Sequence, residues 1–122
     1  MRYGMGAACA VLMMTAMAAN AFAHAELKSS VPERDATVKP APSEVSIEFD
    51  EEVNPKLSLI VVQDAQGHHV DKADSHLVGG DAKQLSVDLN PLPAGTYQVI
   101  WTSVAADDGH KVTDTFQFTV AP

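Results

Sequence analysis

Three groups of side chains carry donor atoms at spacings that could hold a metal ion. The first is His24, which follows Ala21-Phe22-Ala23. That tripeptide has the small-residue pattern of a secretory cleavage site. Cleavage between Ala23 and His24 would make His24 the first residue of the mature chain. A terminal histidine offers its α-amine and its ring Nδ1 together, and the two nitrogens close a six-membered chelate on one metal. Both are borderline donors suited to Cu(II), which heads the divalent affinity order. An internal histidine cannot do this, because its backbone nitrogen is an amide. The second group is Asp108-Gly109-His110. A carboxylate and an imidazole two residues apart point to the same side of extended backbone, and Gly109 lets the chain bend between them. With the His24 chelate they make three nitrogens and one oxygen, a set suited to tetragonal Cu(II). Asp-Gly is also a common turn pair, so the motif alone fits a solvated turn as well. The third group is His68, His69 and His76, with Asp64, Asp71 and Asp74 around them. It admits a weaker second Cu(II) or Zn(II) site. An exposed acidic loop with scattered histidines is the preferred reading, because three histidines without fixed structure are poor ligands.

The elements that must position these groups are strands. Val45, Ile47 and Phe49 alternate with polar residues, as do Leu85, Val87 and Leu89, and Phe116, Phe118 and Val120. Tyr97, Val99 and Trp101 share one face. This is the period of a half-buried strand. Leu57, Leu59 and Val61 fall in an apolar run that could be buried on both faces. Leu27 to Val31 could add a strand, and Val70 a short one. Turn chemistry separates the runs at Pro40 and Pro42, Asn54-Pro55, Gln66-Gly67, Gly79-Gly80, Asn90-Pro91 and Pro93-Ala94-Gly95. About seven short strands without an amphipathic helix predict an all-β, two-sheet sandwich with Greek-key links. Residues 63–83 form the longest stretch without a strong strand signal, and such a stretch is often functional or mobile. The Asp108–His110 motif falls in the loop between the last two strands. Trp101 is expected in the core, since stripes of this kind usually pack.

The first 23 residues read as a signal peptide. Arg2 supplies a positive start, and Ala7–Ala19 is an apolar run within the roughly 7–15 residues expected of its hydrophobic region. An uncleaved membrane anchor would need about 20 strongly apolar residues. The predicted division is therefore a signal peptide over 1–23 and one β-sandwich domain over 24–122. Removing the signal takes away all five Met, the only Cys and Arg2, so the formal charge of −8 becomes −9. Sixteen acids leave no basic footprint for nucleic acid. The net charge argues for a monomer. No nucleophile–base–orienter set surrounds Ser103 or Thr113, so a Ser/His/Asp hydrolase is not indicated.

With these features assembled, residues 24–120 resemble the CopC/PcoC family of periplasmic copper-binding proteins. The resemblance rests on the start HAELKSSVPERDATV, the strand VSIEFDEEV, the stretch PLPAGTYQVIWTSVAADDGH and the closing TFQFTV. It implies an immunoglobulin-like or cupredoxin-like sandwich. It implies Cu(II) bound by residues that fall on His24, Asp108 and His110, and Glu51 matches an acidic position near the site in some members. It further implies a periplasmic role in copper homeostasis or resistance as carrier, buffer or delivery factor, rather than as an enzyme. An inner-membrane copper transport protein of the CopD type is the implied partner. Some members carry a Met-rich Cu(I) site, but residues 24–122 contain no Met, and thioethers are what select Cu(I). Asp114 stands where the family often has a small residue. Two rival readings remain. A terminal His chelate also resembles the copper brace of lytic polysaccharide monooxygenases, yet Asp108 would fill the open position that oxygen chemistry needs. A structural or adhesive sandwich would bind copper only weakly.

Overall fold

The computed structural model describes residues 25–122. The predicted signal peptide, its cleavage point and His24 lie outside the described residues. Eight strands form two four-stranded sheets: β1 (Leu27–Val31), β2 (Thr37–Val38), β3 (Glu44–Phe49), β4 (Leu59–Gln63), β5 (His76–Val78), β6 (Asp81–Asp88), β7 (Gly95–Val104) and β8 (Lys111–Val120). One sheet has the order β1-β3-β6-β5 and the other β2-β8-β7-β4. All pairings are antiparallel except β2 with β8. The architecture is the expected all-β sandwich. Among the described residues no helix is long and apolar enough to cross a membrane.

Strand alternation places the core. Val45, Ile47 and Phe49 on β3 and Leu85 and Val87 on β6 face Val99 and Trp101 on β7 and Phe116 and Phe118 on β8, all buried. Burying each such side chain removes apolar surface from water and contributes on the order of 1.5–3 kcal/mol. The ten-residue register of β7 with β8 runs from Gly95↔Val120 to Val104↔Lys111. Within it Tyr97 opposes Phe118, their rings stacked at 5.6 Å, and the Tyr97 hydroxyl donates to the Pro93 carbonyl at 2.6 Å. Across the sandwich Trp101 meets Phe49 edge-to-face at 5.5 Å. Trp101 is thus a core residue, as its stripe predicts.

The eight strands bear out the expected sandwich of about seven short ones, and three local expectations need correction. β2 is only two residues long and β5 three, too short to show alternation. The 63–83 stretch is not one open loop, because His76–Val78 pairs with β6 as a hairpin across Gly79-Gly80. Val70 lies in no named strand, although its N–H donates to the Val62 carbonyl. In the Leu57–Val62 run, Ile60 and Val62 face the core, whereas Leu57 and Leu59 are 58% and 43% exposed. Apolar residues occupy both parities there, so period two cannot choose the inner face.

The polar 70–75 segment has a structural use. β4 is an edge strand, and unpaired edge amides invite further strand pairing. Ile60 N–H donates to Ser75 Oγ and Val62 N–H donates to Asp71 Oδ1, each at 2.9 Å. The segment also joins the other sheet, since Lys72 N–H donates to the Asp88 carbonyl and Asn90 N–H to the Val70 carbonyl.

Candidate metal centre

Antiparallel pairing brings the ends of β3 and β7 and the starts of β6 and β8 to one end of the sandwich. The 105–110 loop crosses that end. Ala105 N–H donates to the His110 carbonyl at 2.9 Å, and Gly109 N–H donates to the Ala105 carbonyl at 3.0 Å. Asp108 Oδ1 accepts the His110 N–H at 2.9 Å. This local closure makes Asp108 and His110 a unit. It depends on Gly109, whose φ of +73° lies in the left-handed region that a Cβ disfavours. Asp107, Asp108 and His110 are all exposed. One Asp108 oxygen is engaged within the loop, and a carboxylate has about four lone-pair sites in all, so capacity remains for a cation.

The β3–β4 connection lies alongside. Ala106 N–H donates to the Glu52 carbonyl at 2.9 Å, and Val53 pairs with Ala105. Glu51, Glu52, Lys83, Ala106 and Asp107 line an open depression of about 450 Å³. Glu51 therefore sits at the same end as the loop, but it shares its depression with Asp107 and not with Asp108 or His110.

The chain after His24 is fastened here too. Ala25 is completely buried, and its carbonyl accepts the Ser103 hydroxyl at 2.5 Å. Glu26 N–H donates to Asp50 Oδ1 at 2.9 Å, and Asp50 N–H donates back to the Glu26 carbonyl at 3.0 Å. Residues 25 and 26 are thus pinned to the ends of β7 and β3, two residues before the 105–110 loop begins.

Among the described residues no group of three or more His, Cys, Asp or Glu side chains is arranged to hold a metal. His24, the residue before the pinned Ala25, lies outside the described residues. The other histidines are dispersed. His68 lies 3.5 Å from Asp64, His69 contacts the Gln63 amide at 3.4 Å, and His76 Nδ1 is 2.7 Å from the Asp74 carbonyl oxygen. The acids around them accept backbone N–H groups of turns and of strands β4 and β6. Asp64 is held below the ordinary carboxylate range chiefly by the His68 backbone N–H. Asp74 is lowered chiefly by the Asp88 N–H, which donates to it at 2.8 Å. Sequence reasoning considered Ser103 only as a nucleophile and passed over Asp50. The signal was available: Ser103 continues the inward stripe of Tyr97, Val99 and Trp101, where a polar residue needs a partner.

The fold and this end of it define a class: an eight-stranded β-sandwich with a carboxylate–imidazole loop between its last two strands and an anchored N-terminal segment beside it. A family model for the CopC domain matches residues 27–121, and the chain belongs to the CopC family. It is 35% identical over 115 residues to Copper resistance protein C of Escherichia coli, covering 88% of this chain and 90% of that protein. It is 31% identical over 111 residues to Copper transport protein CutJ of Bacillus subtilis, covering 90% of this chain but 20% of that protein. Among solved structures, CopC from Methylosinus trichosporium OB3b matches with a TM-score of 0.75 at 28% identity, over 81% of this chain and 95% of that one. PcoC, a methionine-rich copper resistance protein from Escherichia coli, matches with a TM-score of 0.69 at 35% identity, over 80% of this chain and 99% of that one.

Proposed function

We propose that this protein is a periplasmic Cu(II) carrier or buffer. In this reading copper is held by the α-amine and ring of a terminal His24 together with Asp108 and His110. The observation that carries it is the fastening of Ala25 and Glu26 to Ser103 and Asp50, at the end of the sandwich that carries the Asp108–His110 loop. Relatives named for copper resistance and copper transport support the metal. The donor set supports the oxidation state. One of the solved relatives is described as methionine-rich, whereas residues 25–122 contain no Met. What remains is nitrogen and oxygen, which suits Cu(II) over Cu(I).

The mechanism is thermodynamic. Two donors on one loop are set by Gly109, and the chelate is brought to them by an anchored segment, so little loop ordering remains to oppose binding. Glu51, Glu52 and Asp107 add a negative, salt-screened field that favours a cation. Glu51→Gln is expected to lower affinity slightly, as a field effect does, and a loss as large as that of Asp108→Ala would instead make Glu51 a ligand. Delivery fits an inner-membrane copper protein of the CopD type. Support comes from the Bacillus subtilis relative, a copper transport protein in which the matched region is a fifth of the whole.

The test is electron paramagnetic resonance of the mature chain with one equivalent of Cu(II), beside a chain carrying one extra residue before His24. A single signal with several nitrogen couplings, lost or remodelled in the extended chain, is expected. Identical spectra would remove the terminal amine from the site. His24→Ala should weaken binding far more than His76→Ala. Replacing His68, His69 and His76 together should leave the one-equivalent site intact, and loss of a stoichiometric second equivalent would establish a second site.

A further inference from the structure

We infer that Ser103 and Asp50 are positioning residues for the metal-binding N-terminus: they touch no metal but hold the chain so that residue 24 meets the Asp108–His110 loop. This rests on the site reading above. Ser103 is completely buried on the inner face of β7, two residues beyond Trp101, and its hydroxyl donates to the buried carbonyl of Ala25. A hydroxyl buried on this inner face costs free energy unless it is bonded. An alanine would fill an apolar stripe as well. Its use is the bond to a residue 78 positions away in sequence.

Asp50 supplies the second point of attachment. Its carboxylate accepts the Glu26 N–H while its own N–H donates to the Glu26 carbonyl, a reciprocal pair that fixes both the position and the direction of the segment. With Ala25 fixed on one sheet and Glu26 on the other, the chain up to Ala25 is ordered before any metal binds. A terminal chelate on a loose segment would have to order several residues on binding, each at a cost in backbone entropy. Groups that orient metal ligands without touching the metal commonly change affinity by about 10–100-fold when removed.

The experiment compares mature chains by chelator competition and by electron paramagnetic resonance. Ser103→Ala is expected to weaken Cu(II) about tenfold and to split the single spectrum into two species. Ser86→Ala is the control. Ser86 is equally buried, donates to the Val45 carbonyl at 3.2 Å and lies on the other sheet. It should lower the melting temperature and leave copper affinity and spectrum unchanged. Asp50 is exposed, so its substitution does not endanger the fold. Asp50→Ala should weaken binding, and Asp50→Asn, which keeps an acceptor oxygen, should restore it. Parental affinity and a single spectrum in both Ser103→Ala and Asp50→Ala would overturn the inference, as would a Ser86→Ala loss equal to that of Ser103→Ala. If the chain extended before His24 binds as tightly as the mature one, the site reading itself fails. If only the extension weakens binding, the site stands and the positioning role does not.

Discussion

Gly109→Ala tests how the loop is built and what its geometry contributes to binding. The φ of +73° at Gly109 places it in the left-handed region, and no heavy atom lies within 4 Å of where a Cβ would stand. Steric crowding therefore adds nothing, and the whole effect is backbone strain of about 1–2 kcal/mol. For a domain of this size each kcal/mol corresponds to roughly 4–8 °C in melting temperature. If the loop holds its shape, apo-protein melting followed by circular dichroism should fall by that amount. If it relaxes, the Gly109 N–H to Ala105 bond and the Asp108 cap on His110 both shift, and Cu(II) affinity falls as the carboxylate and imidazole move apart. Gly109→Asn should be milder in both respects, because asparagine visits the left-handed region more readily. Gly67→Ala, at a φ of +84° in the turn after β4 and also with open space around it, should cost comparable stability and leave copper untouched. A Gly109→Ala chain with parental melting temperature and parental copper affinity would refute the reasoning.

Other outcomes follow from particular contacts. Copper affinity should decline as pH drops below about 8, because binding displaces a proton from the terminal amine, whose ordinary pKa is about 7.7–8.0. Titration of Cu(II) against the fluorescence of Trp101, the single tryptophan, would follow this, and a flat profile between pH 6 and 8 would argue against an amine ligand. Asp74 has a lowered pKa through the Asp88 N–H, so its contribution to stability is present above the ordinary carboxylate pKa and lost as pH falls through the lowered one. The melting-temperature gap between the parent and Asp74→Ala should therefore be constant near neutrality and close only in acid below about pH 4. Phe49→Ala removes a fully buried ring that packs edge-to-face on Trp101 and should cost about 3–5 kcal/mol in denaturant unfolding. A loss under about 1 kcal/mol would mean that the two sheets do not close on this contact.

Much of the architecture was legible in one dimension. Alternation at Val45–Phe49, Leu85–Leu89 and Phe116–Val120 named three core strands, because a strand's side-chain period is two and one face of each sheet must leave water. Turn chemistry at Gly79-Gly80 and Pro93-Ala94-Gly95 marked where strands reverse. The same logic failed at Leu57–Val62, where both parities are apolar and only the opposing sheet selects Ile60 and Val62. It also failed at His76–Val78, since three residues are too few to carry a period and the pairing with β6 comes from the hairpin partner.

The donor residues divide in the same way. Asp108-x-His110 is a local motif, and the proposal of a His24 chelate comes from a cleavage pattern and the chemistry of a terminal residue, so both are readings of order along the chain. What the fold sets beside that motif could not be read this way: Ser103 reaches Ala25 and Asp50 reaches Glu26, contacts 78 and 24 residues apart in sequence. The dispersal of His68, His69 and His76 was equally hidden, because it is set by a turn and an edge strand that separate neighbours in sequence. Composition and period determined that there would be a sandwich and which donors it would carry. Only the packing of two sheets, which brings distant strand ends together and keeps near neighbours apart, decided that the Ala25–Glu26 segment is fastened at the end that carries Asp108 and His110.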